Sequence, residues 1–115
     1  WGAQSFNGLW SGVDGIVPST GNFNASFYKD MYQAVIEKDK ENGSLCQNIS
    51  MEVATVYQKD KILGQSLPAL KVMMNEAGLC EKRVLLPFTR LPENEEMKIH
   101  EQTRQLIDKY DLIWI

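Results

Sequence analysis

The sequence has no long apolar run. Stretches such as Val84–Leu86 and Leu112–Ile115 end after a few residues, far short of the roughly 20 that cross a bilayer. No membrane partner is expected. The amino terminus, Trp1-Gly2-Ala3-Gln4, has no basic segment, no apolar core and no initiating methionine. It therefore reads as neither a signal peptide nor a natural start, and the chain is expected to begin within a longer protein. Cysteine is scarce: Cys46 and Cys80 are the two. Without a Cys-x-x-Cys spacing they suit a reducing compartment, with the cytoplasm as the expected location. Charge of neither sign is clustered. Twelve basic residues lie among 15 acidic ones, for a net charge of -3, which offers no footprint to a phosphate backbone and argues against nucleic acid. A Gly-rich phosphate loop, a zinc-ligand spacing and a Ser-His-Asp order are all missing, and no cofactor or metal is expected. Asn-x-Ser sequons at Asn24, Asn42 and Asn48 read as chance matches in a chain without a secretion signal.

What is present is the composition of an ordinary globular domain, 43% apolar and 23% charged. A short amphipathic helix is expected over Ser5–Ser11, with Phe6, Leu9 and Trp10 on one face. Val13–Ser19 reads as a strand, preceded by Gly12 and followed by the turn-forming Thr20-Gly21-Asn22. From about Asn24 the period becomes helical. Phe27, Tyr28, Met31, Tyr32, Val35 and Ile36 form its stripe, and Asn24 or Ser26 could cap it.

A second long helix is expected over Glu41–Lys59, with Leu45, Cys46, Ile49, Val53, Val56 and Tyr57 buried and Gly43 weakening its start. A third opens near Ser66 with Pro68 in its first turn, a stripe of Leu67, Leu70, Met74 and Ala77, and Gly78 as a left-handed cap. Cys80–Pro92 reads as extended. Glu93, Glu95 and Glu96 then suit the first turn of a last helix running to about Tyr110. A lone strand among helices would leave its backbone groups unpaired, so partner strands are expected upstream or on another chain.

The run Gly12-Val13-Asp14-Gly15-Ile16-Val17-Pro18-Ser19-Thr20-Gly21-Asn22 resembles the last barrel strand of the pyruvate aldolases of the dihydrodipicolinate synthase and N-acetylneuraminate lyase family, a Gly-x-Asp-Gly strand followed by a Thr-x-Asn turn. Leu67-Pro68-Ala69-Leu70-Lys71, Gly78-Leu79 and Leu86-Pro87-Phe88-Thr89-Arg90-Leu91 are similar, in order and spacing, to the family's Pro-x-Lys helix and Leu-Pro-Leu-Thr-x-Leu tail. The likeness covers nearly the whole chain. It implies an α/β fold, the carboxy-terminal part of a (β/α)8 TIM barrel plus a helical extension. Residues 1–38 would hold the end of strand seven, with Trp1 near it, then helix seven, strand eight and helix eight. Residues 39–115 would form the extension. A full barrel needs about 250 residues, so the family's Schiff-base lysine and tyrosine proton shuttle are expected outside this chain, and no catalytic residue is assigned within it.

In such a family a lysine amine attacks the ketone of pyruvate and the iminium serves as electron sink. Lys71 lies, by the resemblance, on a helix outside the barrel and reads as structural. Barrel sites form at the carboxy-terminal ends of strands. The resemblance therefore makes Gly2, Gln4 and Ser5, after strand seven, and Ser19, Thr20 and Asn22, after strand eight, the substrate-binding candidates. In lyases acting on sialic acid the first positions are Gly-x-Asp-Glu. Gly2 and Ser19 fit that pattern, while Gln4 and Ser5 replace two carboxylates with groups that still bind sugar hydroxyls. The implied function is a Schiff-base aldolase or lyase that makes or cleaves a 2-oxo acid with pyruvate as one partner and a sugar acid as substrate. Dihydrodipicolinate synthase is the alternative, which Gln4 and Ser5 fit less well. A non-catalytic helical interaction module is the alternative of another class, and it leaves Val13–Ser19 without a partner. Expected partners are the small-molecule substrate, the remainder of the barrel and, since family members often form oligomers, further copies of the chain.

Blander roles compete at several positions. Ser19, Thr20 and Asn22 equally suit a turn that satisfies its own backbone. Asp14 reads as a structural partner of a neighbouring strand or helix, and His100 as a solvated surface histidine. Cys46 and Cys80 read as packing groups, and Met73 and Met74 as core filling.

Overall fold

The computed structural model describes residues 2–112. The expected place of Trp1 beside a strand, and residues 113–115 of the terminal apolar run, lie outside the described residues. A 3-10 turn, Gly2–Gln4, leads into α1, Ser5–Trp10; then follow α2, Gly21–Ile36; α3, Lys40–Gln58; α4, Leu63–Glu76; and α5, Glu93–Tyr110. The chain divides into two compact units, Trp1–Glu52 and Val53–Ile115.

No strand forms among the described residues. Val13–Ser19, expected as a strand, is a loop, and Val17 is 103% exposed. A strand exists only by pairing its N–H and C=O groups with a neighbour, and no such neighbour is found among the described residues. Among the described residues the expected α/β character is therefore reduced to helices and loops.

In the first unit, α1 packs on α2. Phe6, Leu9, Tyr28, Met31 and Cys46 are buried together, with Ile16, Phe27 and Val35 partly buried against them. The rings of Phe6 and Trp10 lie 5.5 Å apart. Helix α2 starts at Gly21, earlier than expected, because the amides of Phe23 and Asn24 already donate to the Thr20 carbonyl at 2.9 and 3.0 Å. Asn24 is thus no cap. It is a buried kink residue (φ -127°, ψ 51°) whose Nδ2 reaches Ser50 Oγ at 3.4 Å. Besides Asn24, Phe23, Tyr28, Met31 and Ala34 are buried, while Tyr32 and Ile36, expected in the stripe, are exposed.

Helix α3 buries Cys46, Ile49, Val53 and Tyr57 as expected and exposes Leu45. Gly43, buried near its start, has a specific cause. A Cβ there would lie 2.8 and 2.9 Å from Cδ2 and Cζ of Phe6, and closer still to Cε2.

In the second unit, α4 packs on α5. Helix α4 begins at Leu63, three residues before the expected start, so Pro68 lies inside it, beyond the first turn. The carbonyl this frees belongs to Gly64, which is exposed and has open space around it, so water can take the bond that proline cannot make. Its buried face is Ser66, Pro68, Ala69, Leu70, Val72 and Met73, displacing the expected Met74 and Ala77 to half-buried positions. Helix α5 has the expected bounds. Glu93, Glu95 and Glu96 open it and Lys109 closes it, a charge order that suits its dipole.

Three helices end in the same hydrogen-bonded pattern, with the residue after the cap in the left-handed region. Gly12 (φ 101°) ends α1, Gly78 (φ 74°) ends α4, and Lys38 (φ 59°) ends α2. At Lys38 the amide donates to Val35 O at 3.2 Å, and that of Asp39 to Ala34 O at 2.8 Å. A lysine carries a Cβ penalty there that glycine avoids. Lys38→Gly should stabilise the protein by about 1 kcal/mol in chemical denaturation. Gly43→Ala should do the reverse of the usual helical gain of about 1 kcal/mol and cost about 2 kcal/mol, because the Phe6 ring must move.

Candidate substrate-binding site

The site is built on the turn that opens the chain. Gly2, Gln4 and Ser5 line a cavity of about 360 Å³ together with Gly8, Val13 and the segment 15–18. Ser5 is buried and Gln4 exposed. Asn7 Nδ2 donates to Gln4 Oε1 at 3.0 Å, so the amide end that Gln4 offers a ligand is the NH2 donor. Three residues expected after a strand lie elsewhere. Ser19, Thr20 and Asn22 form the turn leading into α2 and are not among the cavity's lining residues. Asn22 Nδ2 donates to Ser19 O at 2.9 Å. Thr20, 2% exposed, precedes α2 and gives it no side-chain cap. Asp14 is exposed in the loop.

One side chain that the sequence did not single out holds this turn. Gln47 of α3 accepts a hydrogen bond from Phe6 N–H at 2.9 Å and donates from Nε2 to Gly2 O, also at 2.9 Å. Tyr28, expected in the α2 stripe, lies close to Gly2 and Gly21: its hydroxyl is 4.0 Å from where a Cβ on Gly2 would stand, and its Cδ2 3.8 Å from one on Gly21. Neither link follows from local spacing, because Gln47 sits 41 and 45 residues from its partners.

The second unit carries ion pairs. Glu96 has 4% side-chain exposure and binds Arg90 Nη2 at 2.8 Å and Lys82 Nζ at 2.9 Å. An open cavity of about 670 Å³ lies beside Lys82, Arg83, Val84, Phe88 and Arg90, but the Glu96 carboxylate already engages two of its three cations. The Arg90 hydrogen bond, against burial and joined by Lys82, holds the Glu96 carboxyl at about 2. His100, expected to be a solvated histidine, is instead half-buried, with Nδ1 2.6 Å from Glu76 Oε2; Arg104 Nε approaches Glu76 Oε1 at 2.5 Å. Burial pushes the Glu76 carboxyl up, and the hydrogen bonds and charges of Arg104 and His100 outweigh it and hold it below its ordinary value. Glu76 lies in the last turn of α4, where a negative charge opposes the helix dipole, and the Arg104 guanidinium of α5 offsets that. Lys71 Nζ donates to Arg83 O at 2.6 Å, tying α4 to the segment that follows it.

Cys46 is buried and Cys80 half-buried. Burial, with Asp30 and Asp39 adding repulsion, pushes the Cys46 thiol up and away from thiolate chemistry. Among the described residues no three His, Cys, Asp or Glu side chains gather as a metal site would require, and no helix is long and apolar enough to cross a membrane.

The profile of the dihydrodipicolinate synthetase family matches residues 3–106, nearly the whole chain. The chain belongs to this family. No curated protein matches it. Membership in the dihydrodipicolinate synthetase family points to a pyruvate-dependent class I aldolase or lyase with a small-molecule substrate, and the mainly helical content fits a carboxy-terminal part of such an enzyme.

The ion pairs generate a pH test. The folded pKa of Glu96 is depressed, so its contribution is full above the unfolded value of 4.5 and is lost as pH falls through about 2. Glu96→Gln should cost about 2 kcal/mol near neutral pH, and the gap to wild type should narrow as pH drops from 5 towards 2 in urea titrations. A gap independent of pH would contradict this reading.

Proposed function

We propose that this chain supplies the last barrel units, residues 1–38, and the helical extension, residues 39–115, of a Schiff-base-forming aldolase that makes or cleaves a 2-oxo acid derived from a sugar. The family match over residues 3–106 carries the reading, supported by the cavity that Gly2, Gln4 and Ser5 line. A lysine outside this chain would attack the pyruvate ketone, and loss of water gives the iminium. Removal of a methyl proton then yields an enamine that adds to the carbonyl of an aldehyde; the reverse sequence is cleavage. The residues of this chain would hold the other half of the substrate.

In this proposal the Gln4 NH2 donates to a substrate oxygen and the Ser5 hydroxyl both donates and accepts. Gly2 keeps the wall low. Ser19, Thr20 and Asn22 are assigned to the same substrate from the turn before α2. Gln4 and Ser5 are both uncharged, so the pair imposes no like-charge penalty on an anionic sugar acid, unlike a pair of carboxylates. The working protein is proposed to be cytoplasmic and oligomeric.

Treatment of the intact protein with pyruvate and borohydride should leave a reduced pyruvate adduct, detected by mass spectrometry on a lysine outside this chain. Failure to trap any adduct would sink the aldolase reading. Gln4→Ala should retain the adduct and raise KM for the sugar-derived partner about tenfold, the loss of one good hydrogen bond.

A further inference from the structure

We infer that Gln47 is a positioning residue for substrate recognition: from α3 it fixes the backbone of Gly2–Phe6, and thereby sets where Gln4 and Ser5 meet the substrate. The inference rests on the assignment of that cavity as the substrate site and extends it to a residue outside the cavity wall.

The geometry is a two-point grip. Both ends of the Gln47 amide are engaged, Oε1 by Phe6 N–H and Nε2 by Gly2 O, each at 2.9 Å. The two backbone groups flank Ala3, Gln4 and Ser5, so a rigid amide spans the segment that carries the candidate ligands. Phe6 N–H is one of the amides at the start of a helix that lack an intrahelical acceptor, and Gln4, the residue before α1, gives no side-chain cap. Gln47 therefore caps α1 from another helix. One turn earlier on the same face of α3, Gly43 leaves the notch that the Phe6 ring fills. Ring and amide together fix both the height and the rotation of the turn on α3. A helix-interior glycine is a weak choice for helix formation, and a half-buried glutamine adds no apolar area. Both choices are explained by the register they impose on residues 2–6.

Ser5 is 4% exposed, so little of it can reach a ligand, and a small shift of the turn changes what it presents. Truncating Gln47 frees the Gly2 carbonyl and the Phe6 amide together. Gln47→Glu keeps an acceptor for Phe6 N–H and loses the donor to Gly2 O.

The test uses the intact protein, with pyruvate and a panel of hydroxylated aldehydes from triose to hexose. Gln47→Ala should form the borohydride-trapped pyruvate adduct as wild type does, keep kcat within about twofold and raise KM for the preferred aldehyde about tenfold. Gln47→Glu should fall between the two, and it decides the matter if Gln47→Ala does not fold. Unchanged KM in both variants, or a parallel loss of pyruvate adduct and aldehyde affinity, would overturn the positioning role while leaving the aldolase assignment intact. Absence of an adduct, or of condensation with any aldehyde, in wild type would overturn the assignment and this inference with it.

Discussion

Backbone polar groups must be paired or solvated, and that constraint organises this chain more than any single apolar contact does. The opening turn, Gly2–Gln4, is too short to satisfy itself, so Gln47 supplies a donor and an acceptor from α3. Once that pairing is made, Phe6 must lie against α3, which requires Gly43, and its ring joins Leu9, Tyr28, Met31 and Cys46 in one core. The same constraint explains the loop at Val13–Ser19. Its sequence suits a strand, yet no ladder forms among the described residues and its valines face solvent.

The second unit solves the problem with charge. The segment between α4 and α5 has no regular structure, and it is fixed where Lys82 and Arg90 converge on the buried carboxylate of Glu96. Asn75 adds a bond to Cys80 O at 2.9 Å, and Lys71 one to Arg83 O. Glu76, with His100 and Arg104, ties the end of α4 to α5. A buried carboxylate held by two cations is costly to leave unpaired, which makes Glu96 the point on which this segment depends.

Helices were legible where local chemistry decides them. Glu93, Glu95 and Glu96 after Pro92 marked the start of α5, and Gly78 marked the end of α4. Boundaries shifted where tertiary burial overrode local preference: Asn24 looked like a cap and is a buried kink, and Pro68 looked like a first-turn residue and lies deeper. Lys38 takes a left-handed backbone that no local rule assigns to lysine. His100 looked solvated because its partner, Glu76, is 24 residues away on the neighbouring helix. Gly2, Gln4 and Ser5 were legible as site candidates only through the family resemblance. The cavity unites those three and leaves Ser19, Thr20 and Asn22 in a separate turn. Gln47 gave no signal, since a glutamine on an amphipathic helix is ordinary until its two distant partners are known.

A crystal structure of the intact protein with pyruvate reduced onto its lysine tests the central claim most directly. The account predicts that Val13–Ser19 is paired as a barrel strand and that Gly2, Gln4, Ser5 and Ser19 open onto the same end of the barrel as the trapped lysine. An unpaired Val13–Ser19, or an adduct at the opposite end of the barrel, would contradict it.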